Sequence, residues 1–383
     1  RKAVIMKILH TSDLHLGISL LGVPLISYQR QLCESLLKIS ENADAVVISG
    51  DIFDTSVSSA EAIKCWSNLA ERLCLERNIP VIVCAGNHDG AARLASCGNL
   101  LRSAGLFIAG SFEDSFTPFI CGNTAFYAIP YFNPADAAVY LDCPPDTAAV
   151  MEAACKKILA NADKSMCNIL SAHCFAAGGK SAESDISARA AESVGGAYSI
   201  PLSAFEGFDY VALGHLHKSQ TLTPAGSNTI IRYSGTPLPY SFSEAEHTKT
   251  VTVFDTETHT VTETEVPQPY RLRSLEDTYE NIVENAEADP NREDFMRITL
   301  TDRYAGDGAY MKLKELYPNL LRFEGKRHEA AETGGITAKE AAELDIIALA
   351  KRYSEEHRGT APDKDELAWL AEAMKEIDRE ENI

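Results

Sequence analysis

No stretch of the 383 residues stays apolar for the ~18 positions needed to cross a bilayer, so a membrane-spanning helix is not expected. The opening RKAVIMKILHTSD has too short an apolar run for a secretory signal. Met6 is a candidate native start, with Arg1 to Ile5 as an extension. None of the ten cysteines is spaced as CxxC, which excludes a zinc knuckle and a thioredoxin motif. Without a secretory signal, they read as reduced thiols of a cytoplasmic protein. Basic residues are also scarce: 35 Lys and Arg face 55 Asp and Glu, for a net charge of −20. A passive, broadly basic nucleic-acid coat is therefore excluded. A nucleic-acid enzyme is not, because a local site can be positive on an acidic protein. Internal repeats and low-complexity segments are absent as well.

What the chain does contain is a series of short runs rich in Val, Ile and Leu, the pattern of strands buried on both faces. They are VIMKIL before His10, AVVIS before Gly50, PVIVCA before Gly86, NILSA before His173 and YVAL before Gly214. Amphipathic stretches at Arg30 to Asn42 and Ser59 to Asn78 lie between the first three. This alternation predicts a layered α/β domain. The proline-rich VPQPY (Val266 to Tyr270) marks a boundary, giving domains at 1–270, 271–327 and 328–383. The middle one predicts a small α+β unit, with a helix over SLEDTYENIVENA and a strand over FMRITL. The last predicts two helices, one opening at Thr337 with Glu340 three residues on. The other opens at Asp363 and places Leu367, Leu370, Ala371, Met374 and Ile377 on one face.

Behind each strand-like run stands a residue able to bind a divalent metal. These are SDLH (Asp13, His15), GDIFD (Asp51), GNHD (Asn87), SAHC (His173) and GHLH (His215, His217). In layered α/β folds ligands gather beyond the carboxyl ends of the strands, so five such ends on one edge bring these groups together. In extended backbone, residues i and i+2 point the same way, which lets Asp13 with His15, and His215 with His217, share a site. Each motif alone has an ordinary explanation, such as a turn, a helix cap or a satisfied core histidine. All five in this order are hard to obtain by chance.

Imidazole mixed with carboxylate and amide oxygen suits manganese, iron, zinc or cobalt better than magnesium or calcium. Seven ligands suit two ions, which roughly 3.5–4 Å apart can clamp a phosphate and activate water. Two dications outweigh the charges of Asp13, Asp51 and a hydroxide, leaving a positive centre that attracts a phosphodiester. His88 follows Asn87 and projects elsewhere: it can face the scissile phosphate or orient a neighbouring ligand. Asp54 and Asp89 read as supports, and Cys174 as a small buried thiol.

In this order, SDLH, GDIFD, GNHD, SAHC and GHLH resemble the calcineurin-like metallophosphoesterase superfamily, over the stretch ending at Lys218. Finer features, ILHTSDLHLG, GNHDGAARL, FDYVALGHLHK and YSGTPLPYSFSE, resemble its SbcD branch, the nuclease subunits of bacterial SbcCD complexes. The resemblance implies an αββα sandwich, a small capping domain that helps hold DNA, and a helical tail that docks on an SbcC-type ATPase. It implies Asp13, His15 and His217 on one metal, Asn87, His173 and His215 on the other, and Asp51 bridging. His88 matches the catalytic histidine, and two manganese ions are the implied cofactors. Asp54 stands where some relatives have histidine, so that histidine's role does not carry over.

A metal-dependent DNA nuclease follows, cutting double-stranded ends and hairpins in repair, recombination or replication. The implied assembly is a homodimer within a heterotetramer with the ATPase. The alternative is a stand-alone phosphoesterase for cyclic nucleotides or phosphoproteins, against which the long extension after Tyr270 argues. An idle scaffold would not need a full ligand set. Lys180, Arg189 and Lys218 are candidate DNA contacts, and the polar stretch from Ala176 to Gly196 is expected near the site.

Overall fold

The computed structural model describes residues 5–180, 199–302 and 307–325, with a few short stretches between 347 and 367. The strands follow from the apolar runs. In β4 (Ala45–Ser49), Val46 and Ile48 point into one core while Ala45 and Val47 point into another. The same two-sided burial holds for β5 (Val81–Cys84) and β10 (Tyr210–Gly214). A strand covered on both faces has no polar side to alternate, hence the continuous runs.

Two six-stranded sheets result. The first has a parallel centre of β1 (Lys7–Thr11), β4, β5 and β6 (Leu106–Ala109). Its outer edge is the antiparallel pair β13 (Thr250–Asp255) and β14 (Thr260–Glu265), which gives the order β14-β13-β1-β4-β5-β6. A minor hairpin, β2 (Ser19–Leu20) and β3 (Val23–Pro24), lies between β1 and the first helix. The second sheet comprises β7 (Phe119–Cys121), β8 (Thr124–Ile129), β9 (Cys167–His173), β10, β11 (Gln220–Leu222) and β12 (Ile230–Tyr233). Its order is β11-β12-β10-β9-β8-β7.

The sheets pack face to face through Ile8, Val47, Ile82, Phe126, Ile169 and Ala212. Helices α1 (Ile26–Ile39) and α2 (Ala60–Glu71) cover the first sheet, and α3 (Thr147–Asn161) covers the second. The layering is therefore helix, sheet, sheet, helix, as the resemblance implied. All ten cysteines are free thiols, Cys174 among the buried ones.

A third, parallel sheet joins β15 (Leu272–Asp277), β16 (Phe295–Leu300) and β17 (Leu320–Gly325). With helices Tyr279–Ala286 and Asp307–Leu316 it encloses its own core of Ile282, Met296, Ile298, Leu313 and Tyr317. Here one expectation fails: Ser274 to Asp277 is strand, not the start of a helix. The helix begins only at Tyr279, where the Thr278 side chain caps the Asn281 amide. Of the tail, Thr337, Glu340, Asp363, Leu370, Ala371, Met374 and Ile377 lie outside the described residues, as does Arg189.

The sheets touch tightly where β4 and β10 end. A Cβ on Gly214 would sit 1.7 Å from the Ser49 carbonyl oxygen, so nothing larger than glycine fits. Gly214→Ala should therefore destabilise the protein by about 3 kcal/mol or more, read from its urea midpoint. An unchanged midpoint would mean that this contact between the sheets does not exist.

Candidate metal centre

The candidate ligands stand in the loops beyond β1, β4, β5 and β10 and, for His173, at the last position of β9, so both sheets contribute. Their convergence does not arise from extended backbone, as the spacing suggested. Asp13 (φ 54°), His15 (φ 42°), Asp51 (φ 49°) and His215 (φ 102°) all have positive φ. Such geometry costs a non-glycine residue about 1–3 kcal/mol and persists only where the surroundings impose it. Here the loops are laced together by backbone hydrogen bonds: Asp13 N to Gly50 O (3.0 Å), His15 N to Asp51 O (3.0 Å) and Leu16 N to Ile52 O (2.9 Å). Gly50 (φ 85°) lets the chain pass His173, whose Nδ1 would lie 2.2 Å from any Cβ at that position.

All seven candidates meet. Asp13, His15 and His217 bring one ligand atom each to within 4.8 Å of one another, as do Asp13, Asp51 and His173. Asp51 Oδ2 lies 3.7 Å from His15 Nε2 and 3.4 Å from His173 Nε2, between the two groups. Asn87 Oδ1 is 2.9 Å from His173 Nε2 and 3.1 Å from His215 Nδ1. His173 Nδ1 donates to Ser49 O (2.9 Å), which leaves Nε2 to face the site. The His215 amide donates to Asp13 Oδ1 (3.0 Å).

His88 is exposed at the rim. Its amide donates to Asp51 Oδ1 (2.9 Å), and its ring meets the Asp54 carbonyl through Nδ1 (2.8 Å). It also belongs to a potential ligand group with His15 and Asp51.

The charges are arranged for a cation. Burial opposes ionisation of Asp51, but His173, His15 and His88 hold its carboxyl well below the usual range. Burial also works against a charge on His173, yet Asp51 and Asp13 outweigh it and raise the pKa to about 9. His215 goes the other way, lowered to about 3 by burial and by neighbouring His173, so its lone pair stays available. A dication would compete directly with the His173 proton for the same carboxylates.

The supports are clearer in three dimensions. Asp89 accepts the amides of Gly86 (2.8 Å), Phe53 (2.9 Å) and Ile52 (3.2 Å), tying the Asp51 loop to the Asn87 loop. Asp54 Oδ1 stands 3.6 Å from His15 Nδ1. Several supports went unassigned in the sequence. Gln29 on α1 clamps the first loop, donating to His15 O (2.7 Å) and accepting from Gly17 N (2.8 Å). Tyr240 donates to Leu14 O (2.5 Å), and its ring packs against His15 and His217. His10 joins Tyr210 (2.8 Å) and Ser49 (3.2 Å) in a buried network beneath the site. The signal for Tyr240 was the YSGTPLPYSFSE stretch, which carries no chemistry by composition. Lys180 and Lys218 are exposed.

The donor set fits a metal pair. His15 is buried, yet neither ring nitrogen has a hydrogen-bond partner. Its nearest carboxylates, Asp51 at 3.7 Å and Asp54 at 3.6 Å, stand beyond hydrogen-bond distance, so a bound cation would complete what the ring lacks. Ligand atoms bound at about 2.0–2.2 Å to one ion lie at most roughly 4.4 Å apart, the range of the contacts around Asp51.

The family model for calcineurin-like phosphoesterases matches residues 6–219. The chain belongs to that family, whose members are phosphoester hydrolases that use divalent metals. Within it, the chain belongs to the SbcD branch. It is 33% identical over 323 residues to the SbcD subunit of the nuclease SbcCD from Staphylococcus epidermidis, covering 82% of this chain and 84% of that one. A second family model, SbcD_C, described as a type 5 capsule protein repressor C-terminal domain, matches residues 268–358. Among solved structures, a Thermus thermophilus protein is 14% identical (TM-score 0.41), covering 69% of this chain and 100% of its own. A dimetal phosphatase from Danio rerio is 13% identical (TM-score 0.42), covering 68% and 99%. Overlays that loose carry no weight for the site.

Proposed function

We propose that this chain is a metal-dependent DNA nuclease that works with an SbcC-type ATPase on double-stranded ends and hairpins, in repair, recombination or replication. The observation that carries the chemistry is the meeting of seven ligand-type side chains in one linked cluster, with neither ring nitrogen of His15 hydrogen-bonded. Asp13, His15 and His217 would hold one divalent ion and Asn87, His173 and His215 the other, with Asp51 between them. Manganese is the proposed metal, given the mixed imidazole and oxygen donors. A metal pair would supply Lewis acidity, activating water and neutralising phosphate charge. His88, its Nδ1 engaged by the Asp54 carbonyl, is exposed at the rim. There it can stabilise the charge developing on phosphate or protonate the leaving oxygen.

The similarity to a curated nuclease subunit along most of the chain supports DNA as the substrate and the ATPase as partner. The reading divides the chain into a nuclease domain at 1–270, a DNA-capping domain at 271–327 and a docking tail at 328–383. It takes the working form to be a homodimer within a heterotetramer, in the cytoplasm.

Among the described residues no helix is long and apolar enough to cross a membrane. The test is to give the purified protein Mn²⁺ and three substrates, a hairpin-ended duplex, a linear duplex and a cyclic nucleotide, with and without the ATPase. Cutting of both DNAs, abolished by chelation, is expected. Exclusive turnover of the cyclic nucleotide would favour the stand-alone phosphoesterase and end the nuclease reading.

A further inference from the structure

We propose that Glu244 is a positioning residue for His217, and through it tunes one half of the metal centre on whose existence this inference rests. Glu244 is fully buried and is the last residue of the YSGTPLPYSFSE stretch that follows the GHLH motif. Its Oε1 faces His217 Nδ1 at 3.8 Å. It is held there from several sides. Thr236 Oγ1 donates to Oε2 (3.0 Å), the Tyr240 amide to Oε1 (3.3 Å) and Ser241 Oγ to Oε1 (3.2 Å). Lys249, also buried, forms an ion pair with Oε2, and its Nζ donates to Thr236 Oγ1 (2.8 Å).

The same cluster grips the His217 backbone. Its carbonyl accepts from the Thr236 amide (3.2 Å) and from Lys249 Nζ (3.4 Å).

A buried ion pair is weak evidence for stability, since apolar residues of equal volume often serve as well. Its position explains more than its energy. A carboxylate facing Nδ1 favours the tautomer with the proton on that nitrogen and leaves the Nε2 lone pair as ligand. Lys249 and Thr236 hold that carboxylate in place against the ring. His217 already brings a ligand atom to Asp13 and His15, so the effect should fall on that half of the site alone.

Calorimetric titration with Mn²⁺ tests this on the full chain, using wild type, Glu244→Gln and the double variant Glu244→Gln, Lys249→Met. The double variant removes the unpaired lysine that could unfold the single one. Wild type should show two binding events. In a folded variant, by circular dichroism, one event should weaken about 10–100-fold while the other stays. Both affinities unchanged, both weakened equally, or neither variant folding would overturn the proposal. A wild type that binds fewer than two ions would instead sink the metal-centre reading itself.

Discussion

His88→Ala should keep both metal ions and lose cleavage by about 10²–10⁴-fold. The geometry separates the two effects. Asp51 is held by the His88 amide (2.9 Å), a backbone contact that alanine preserves. The imidazole itself is exposed and hydrogen-bonds the Asp54 carbonyl (2.8 Å) rather than a buried carboxylate, so its removal should leave those carboxylates in place. Metal content by elemental analysis and cutting of a linear duplex in Mn²⁺ give the two readouts. The site also offers the opposite outcome, because a His88 ring nitrogen can reach a shared position with His15 and Asp51. Loss of a metal together with activity would make His88 a ligand, and retained cutting would leave it without a chemical role.

Asp51→Asn should do the reverse, removing metal first. Its Oδ2 stands between His15 Nε2 (3.7 Å) and His173 Nε2 (3.4 Å), and its Oδ1 accepts from the His88 amide. Asparagine nearly preserves the shape but deletes a negative charge that lies between the two halves. One of its two positions becomes an N–H donor facing an amide or two imidazoles. Several kcal/mol of charge stabilisation would go, about three powers of ten in rate. Metal content should fall below two per chain. Two tightly bound ions in a folded Asp51→Asn protein would refute its bridging place.

Set side by side, the variants would divide the site into a part that holds cations and a part that handles the reacting phosphate. A purely structural cluster would give no such contrast. Both would then change stability and neither would change metal content.

Much of the fold was legible in the sequence. AVVIS became β4 with the bounds read from it, because a strand buried on both faces writes an unbroken apolar run and stops where glycine follows. SLED was not legible. Leu272–Asp277 has only one buried position, Leu272, so its charged residues read equally well as the first turn of the helix that follows. Only parallel pairing with Phe295–Leu300 makes it a strand. Propensity is a weak guide where tertiary pairing supplies the hydrogen bonds.

The candidate ligands were readable for a similar reason. Aspartate, asparagine and histidine recur behind one buried strand after another, so residue type and position along the chain pointed to one edge of a layered sheet. The sequence could not say how they meet. Extended backbone was the simplest route from Asp13 to His15, whereas the chain takes left-handed turns at both, enforced by hydrogen bonds to the Gly50 and Asp51 carbonyls. Glu244 closes the YSGTPLPYSFSE stretch, yet its role, like that of Lys249, was not readable: only burial against each other and against His217 gives them a part. The order of residues thus determined which strands form and which donors stand at their ends, since those follow from local periodicity. The tertiary structure decided the angles, the burial and the supporting cluster, since these depend on contacts between segments that no local pattern encodes.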